Sequence, residues 1–211
     1  MRSMKSHREF LIQYPKESSD EARLALAAEF GFLRDGRVFW DGIPFGIRPG
    51  TDISRFHIRG VSFDNTRLTD CISTGAIFEG CEFQQGSIEA SPGRKVCWDG
   101  VVFRSCRFHE TTFGPATLSL HRASFESSSL RYVRFRFGRL SDACFDHALL
   151  HECSFRSAVL TNATFRRADL RKVSFERTPL TGVDFTGAQF HQMDFYGPLD
   201  LTVCRAQPAN A

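Results

Sequence analysis

Every fifth residue from Leu120 to Phe195 is Leu or Phe. The positions are Leu120, Phe125, Leu130, Phe135, Leu140, Phe145, Leu150, Phe155, Leu160, Phe165, Leu170, Phe175, Leu180, Phe185, Phe190 and Phe195. Two residues before most of them stands a small or short side chain: Ala123, Ser128, Val133, Gly138, Ala143, Ala148, Cys153, Ala158, Ala163, Ala168, Val173, Thr178, Val183 and Ala188. A helix repeats its apolar positions every 3.6 residues and a strand every 2. A sustained period of five belongs to neither, so this chain is built from a repeat in which each short unit buries its large side chain against copies of itself.

The same pattern runs upstream in another phase, through Ile58, Phe63, Leu68, Phe78, Phe83, Ile88, Trp98, Phe103, Phe108, Phe113 and Leu118. Ser73 and Gly93 break this grid. Its small series includes Cys71, Ala76, Cys81, Val101, Cys106 and Thr111. The step from Phe113 to Leu120 is seven residues and contains Gly114-Pro115, a pair of turn formers expected to make a bulge or short loop. Ser91-Pro92-Gly93-Arg94-Lys95 reads as a loop that keeps the register on both sides.

Ala168-Asp169-Leu170-Arg171-Lys172 and Val183-Asp184-Phe185-Thr186-Gly187 closely resemble the consensus of the pentapeptide-repeat family: Ala, Asp or Asn, Leu or Phe, then two variable residues. The resemblance covers about residues 56–197. It implies an all-β fold, a right-handed quadrilateral parallel β-helix in which four pentapeptides make one coil and the large apolar residue points inward. With 20 residues per coil, Phe125, Phe145, Phe165 and Phe185 stack on one face, and Phe135, Phe155, Phe175 and Phe195 on the opposite one. Leu130, Leu150 and Leu170 make a third ladder, ending in Phe190; Leu140, Leu160 and Leu180 make the fourth. Seven such coils, rising about 4.8 Å each, form a rod about 35 Å long. Cys71, Cys81, Cys106 and Cys153 occupy the small inward position as compact hydrophobes, and on a 20-residue count no two of them are stacked neighbours.

Residues 1–50 do not repeat, and are expected to cap the open end of the first coil. Ser18 and Glu21 have capping-box spacing, followed by Ala22, Leu26, Phe30 and Leu33 on one stripe, so a short helix ending between Gly31 and Gly36 is expected. Val38 to Phe45 reads as a hairpin closed by Asp41-Gly42, with Pro44 at an edge. The expected organisation is a cap over 1–50, the β-helix over 51–197 with its phase shift at 113–120, and a short tail over 198–211 that carries no amphipathic helix. The tail lacks the dimerising C-terminal helix that the resemblance associates with topoisomerase-protecting members. No apolar run is long enough to span a bilayer, and the basic start has no apolar signal core. Seven cysteines without a secretion signal suit reduced thiols in a cytoplasmic protein.

Three constellations could carry chemistry. Cys144-x2-His147-x3-His151-x-Cys153 has zinc-like spacing, but the repeat points these four side chains three ways, so no metal or cofactor is expected. Glu126 and Asp146 are one coil apart, with Arg166 next in line to balance them; without a cleft they are not expected to work as a glycosidase pair, and no catalytic residue is assigned. Arg131, His151, Arg171 and His191 recur every twenty residues on one face, with Arg136 and Arg156 stacked on the adjoining face and Arg134, Arg139, Lys172 and Arg177 close by. Columns of like charge repel unless solvated or met by an acidic partner, which makes Arg131, His151, Arg171, His191, Arg136, Arg156 and Lys172 the candidate interaction surface.

The expected function is therefore a non-enzymatic protein-binding scaffold or adaptor, with a protein partner, no small-molecule substrate and no membrane span. The resemblance implies an alternative, a DNA-mimicking protector of DNA gyrase, a type II topoisomerase, against quinolones or natural-product poisons. A bacterial effector delivered to a host is a further alternative. Mimicry of DNA asks for an acidic surface. The whole chain carries a net +3, and removing the eight cationic and seven acidic residues of its first 50 still leaves the rest at +2.

Overall fold

The computed structural model describes residues 52–60, 62–64, 67–114, 117–193 and 204, together with the backbone of two short strands, β1 (Leu33–Arg34) and β2 (Arg37–Asp41). The chain winds into a four-faced parallel β-helix. Its first face is the ladder of Ile58, Phe78, Phe103, Phe125, Phe145, Phe165 and Phe185; its second is that of Phe63, Phe83, Phe108, Leu130, Leu150, Leu170 and Phe190. The third stacks Leu68, Ile88, Phe113, Phe135, Phe155 and Phe175, and the fourth runs through Ile53, Ser73, Trp98, Leu120, Leu140, Leu160 and Leu180. The second face carries a seven-stranded parallel sheet and the first a five-stranded mixed one, whereas the other two are held by shorter strands and isolated bridges.

A common turn builds many of the corners. The carbonyl of the large inward residue accepts the amide three residues on, as in Ala123 N to Leu120 O (3.0 Å) and Ala158 N to Phe155 O (2.8 Å). The second residue after the large one then takes a left-handed conformation, as at Ser127 (φ 55), Tyr132 (φ 57), Phe137 (φ 58), His147 (φ 58) and Lys172 (φ 51). Non-glycine residues rarely adopt this conformation, which costs them free energy. Here the next coil holds them in it, for each corner amide donates upward, for example Tyr132 N to His151 O (2.9 Å).

The core consists of rings in two stacked columns that meet edge to face. Phe125, Phe145 and Phe165 lie nearly parallel at 4.9 and 4.8 Å, Phe135 and Phe155 at 4.9 Å, and Phe145 meets Phe155 at 87°. Both arrangements suit the ring quadrupole. Phe125, Phe135, Phe145, Phe155, Phe165, Phe175 and Phe185 are all buried, as are the small inward residues between them. Phe195 lies outside the described residues, as do the expected helix up to Phe30 and most of the C-terminal tail. Cys204 packs against the core, with its thiol 3.6 Å from the Leu180 carbonyl.

Four details differ from the expectations of the sequence. Ser73 does not break the ladder: it is fully buried on the fourth face, one rung from Trp98, and its small volume leaves room for the indole, whose N–H donates to the Cys71 carbonyl at 2.6 Å. Gly93 is not a rung, because the Ser91–Lys95 segment is one extra pentapeptide, making that coil 25 residues long. The longer coil stacks Cys106 directly on Cys81, since Arg107 pairs with Glu82. Burial, together with the neighbouring Cys81 thiol, pushes the Cys106 thiol far up. Finally, the hairpin closes elsewhere: β2 pairs antiparallel with β1 so that Arg34 faces Arg37, leaving Asp35-Gly36, not Asp41-Gly42, between the arms. The other edge of β2 pairs in parallel with β3 (Phe56–Arg59), and residues 42–45, the rest of the expected hairpin, lie outside the described residues.

Candidate interaction surface

Because only the large and small series point inward, the other three residues of each pentapeptide stand outside in columns. Parallel register places Arg131, His151, Arg171 and His191 on successive rungs of the second face and extends the column down to His109. Carboxylates interleave with it. Asp169 holds the Arg171 guanidinium with Nε at 3.0 and 3.1 Å and Nη2 at 2.8 Å, and lies 3.7 Å from His191 Nε2. Glu152 lies 3.6 Å from His151 Nε2 and 3.4 Å from Lys172 Nζ at the corner. Hydrogen bonding to Asp169 raises the Arg171 pKa further. Arg131 instead sits over the Tyr132 ring at 5.3 Å, and that ring lies between those of His109 (5.6 Å) and His151 (6.0 Å).

The third face is less compensated. Arg136 and Arg156 are on successive rungs, and Arg134 heads a column whose neighbours are Thr112, Ser154 and Ser174. Glu176 serves both Arg156 (3.4 Å) and Arg177 (3.6 Å). Among the described residues no carboxylate lies within ion-pair distance of Arg134, Arg136 or Arg139, all of them exposed. At the corner between the third and fourth faces, beside these arginines, Phe137 is 54% exposed, and Val159, one rung above Arg139, is 45% exposed. Sequence reasoning passes over both. The usable signal is that Phe137 lies off the five-residue grid, inside a run holding Arg131, Arg134, Arg136 and Arg139.

The first face bears Glu126, Asp146 and Arg166 in order. Asp146 accepts the Arg166 amide at 2.9 Å, but the guanidinium turns mainly to Asp184 (Nε to Oδ2, 2.7 Å). Asp184, to which the repeat pattern assigns no role, is buried. Burial works to raise its pKa, and the Thr186 hydroxyl, Arg166 and the Thr186 amide outweigh that, holding it at about 2. Of the zinc-like set, Cys153 is buried inward, His147 is exposed at a corner, and Cys144 and His151 stand on different faces. Among the described residues no three His, Cys, Asp or Glu side chains are grouped to hold a metal ion. A recess of about 560 Å³ beside the second corner is lined by Gln85, Glu110, Tyr132 and Arg134, with Gln85 donating to Glu110 at 3.1 Å.

Residues 139–177 and 148–187 match the family model of pentapeptide repeats, in 8 copies. Residues 139–187 are pentapeptide repeats. No curated protein sequence matches the chain. Solved structures similar to it include full-length QnrB1, a plasmid-mediated fluoroquinolone resistance protein, at 16% identity and a TM-score of 0.39, covering 81% of this chain and 89% of that one. HetL, a pentapeptide repeat protein involved in heterocyst differentiation regulation from the cyanobacterium Nostoc sp. strain PCC 7120, is 17% identical with a TM-score of 0.22, covering 75% and 86%. A pentapeptide repeat protein from the Arabidopsis thaliana thylakoid lumen is 22% identical with a TM-score of 0.19, covering 54% and 68%. These likenesses carry no argument about partner or activity. No helix among the described residues is long and apolar enough to cross a membrane.

Proposed function

We propose that this pentapeptide-repeat protein is a non-catalytic binding rod that presents cationic columns on its second and third faces to an acidic protein partner. The observation that carries the reading is the third face, where Glu176 reaches Arg156 and Arg177 while, among the described residues, Arg134 and Arg136 have no carboxylate within ion-pair distance. Such an array loses its mutual repulsion when acidic groups dock on it, and the gain grows as water leaves the contact. A core of stacked rings keeps the columns in place before binding, so little order has to be gained on association.

The same columns run against DNA mimicry, since a topoisomerase surface that holds DNA is itself positive. Purified gyrase supercoiling, with and without ciprofloxacin, tests that alternative: rescue or inhibition near stoichiometric amounts would replace the scaffold with a topoisomerase protector. The scaffold reading is tested by capture from cell extract followed by cross-linking and mapping of the contact residues. Cross-links on the second and third faces, lost in the Arg136→Glu, Arg156→Glu double variant or in Arg171→Glu, support it. Partners mapped to other faces, or binding indifferent to these reversals, refute it.

A further inference from the structure

We infer that the corner formed by Phe137 and Val159, with Arg134, Arg136 and Arg139 around it, is the docking point for an acidic protein segment that carries an apolar anchor side chain. The inference rests on the scaffold reading and narrows it to one corner and one kind of partner. Two features single Phe137 out. It takes a left-handed backbone (φ 58), and among the described residues with positive φ it is the one wholly apolar side chain; its counterparts are polar or glycine. It is also 54% exposed, although every grid phenylalanine from Phe125 to Phe185 is buried. A large apolar side chain left half exposed by the fold, at a corner position where the counterparts are polar or glycine, is what a contact surface requires.

Its neighbours supply the chemistry. The Phe137 amide donates to the Arg156 carbonyl (3.1 Å) and the Val159 amide to the Gly138 carbonyl (2.8 Å), so the two exposed apolar residues flank one edge of the rod. Arg134, Arg136 and Arg139 come from the same coil and have no carboxylate within ion-pair distance among the described residues. Down the Arg136 column the next rung is Gly114, and the next carboxylate, Glu89, is two rungs away, about 10 Å. An aromatic residue framed by arginines is the composition of an interface centre. A protein segment with carboxylates around one Leu or Phe satisfies both parts. A nucleic-acid backbone offers no apolar partner to Phe137 or Val159.

The test uses the full chain and fluorescein-labelled synthetic peptides of about 12 residues, Glu- and Asp-rich with a central Phe or a central Ser, beside a random-sequence DNA duplex, by anisotropy at about 0.15 M salt. The Phe peptide is expected to bind at least about fivefold more tightly than the Ser peptide, and Phe137→Ser to erase that preference without lowering the melting temperature. The Arg136→Glu, Arg139→Glu pair is expected to weaken both peptides more than about tenfold. Equal binding of the two peptides, no binding of either, or tighter binding of the duplex overturns the inference. If the peptides fail while captured partners still cross-link to the third face, this docking corner falls and the scaffold reading stands.

Discussion

Phe145→Ala would remove one ring from the middle of the rod. Phe145 is fully buried, stacked between Phe125 (4.9 Å, 1°) and Phe165 (4.8 Å, 5°), with Phe135 (5.7 Å, 81°) and Phe155 (5.3 Å, 87°) edge-on beside it. Losing the transfer energy of the ring costs about 2 kcal/mol. The space left is about 100 Å³, which at about 24 cal/mol per Å³ adds roughly 2.4 kcal/mol if the walls do not close. They cannot close far, because backbone ladders above and below fix the rung spacing: Phe125 N to Cys144 O and Phe145 N to Thr164 O are both 2.7 Å. The total, about 4–5 kcal/mol, is a large share of the stability of an ordinary domain. Phe145→Leu keeps most of the volume and is expected to cost less than half as much. Urea unfolding followed by far-UV circular dichroism measures both. A loss below about 2 kcal/mol for the Ala variant, or equal losses for the two, would refute the inward ring ladder.

Two further outcomes concern single carboxylates. The folded Asp184 pKa of about 2 lies below its ordinary value of 3.8, so the stabilisation is complete above about pH 4 and is lost as pH falls through about 2. Asp184→Asn should flatten the melting temperature between those pH values; an unchanged acid slope would count against the Asp184–Arg166 pair. Asp70 accepts the Ser91 amide and hydroxyl, both at 2.7 Å, and faces Arg94 at 3.6 Å, which pins the inserted pentapeptide to the coil below. Asp70→Ala should speed tryptic cleavage after Arg94 or Lys95 severalfold at unchanged global unfolding; identical cleavage rates would refute the anchoring role.

The period of five placed the inward series, and with the four-faced coil that the family resemblance implies it also placed the segregation of Phe from Leu and put Arg131, His151, Arg171 and His191 in one column. The physical reason is that a solenoid makes its contacts between neighbouring coils, so a short-range repeat already encodes the long-range pairs. Where coil length departs from 20, that encoding fails. Counting could not tell that Ser91–Lys95 lengthens one coil and so stacks Cys106 on Cys81, nor that buried Ser73 makes room for Trp98. Local signals were also insufficient: the residues from Val38 to Asp41 read as the first arm of a hairpin, whereas β2 pairs antiparallel with the preceding β1 and parallel with β3.

Outside the core the balance reverses. The repeat assigns outward residues to columns but is silent on which charge reaches which, because that depends on side-chain reach across corners and rungs. Arg166 turns from Asp146, its partner in the column, to Asp184 on the flank of the next coil. Asp169 ties down Arg171 in the column that looked most exposed, while Arg134, Arg136 and Arg139 have no carboxylate within ion-pair distance among the described residues and surround an exposed Phe137. The sequence by itself determined that the chain stacks as a solenoid, since large residues at a fixed short period can be buried only against copies of their own unit. Only the tertiary structure decided which of its charges are left for a partner, since that turns on distances of a few ångströms that no periodicity encodes.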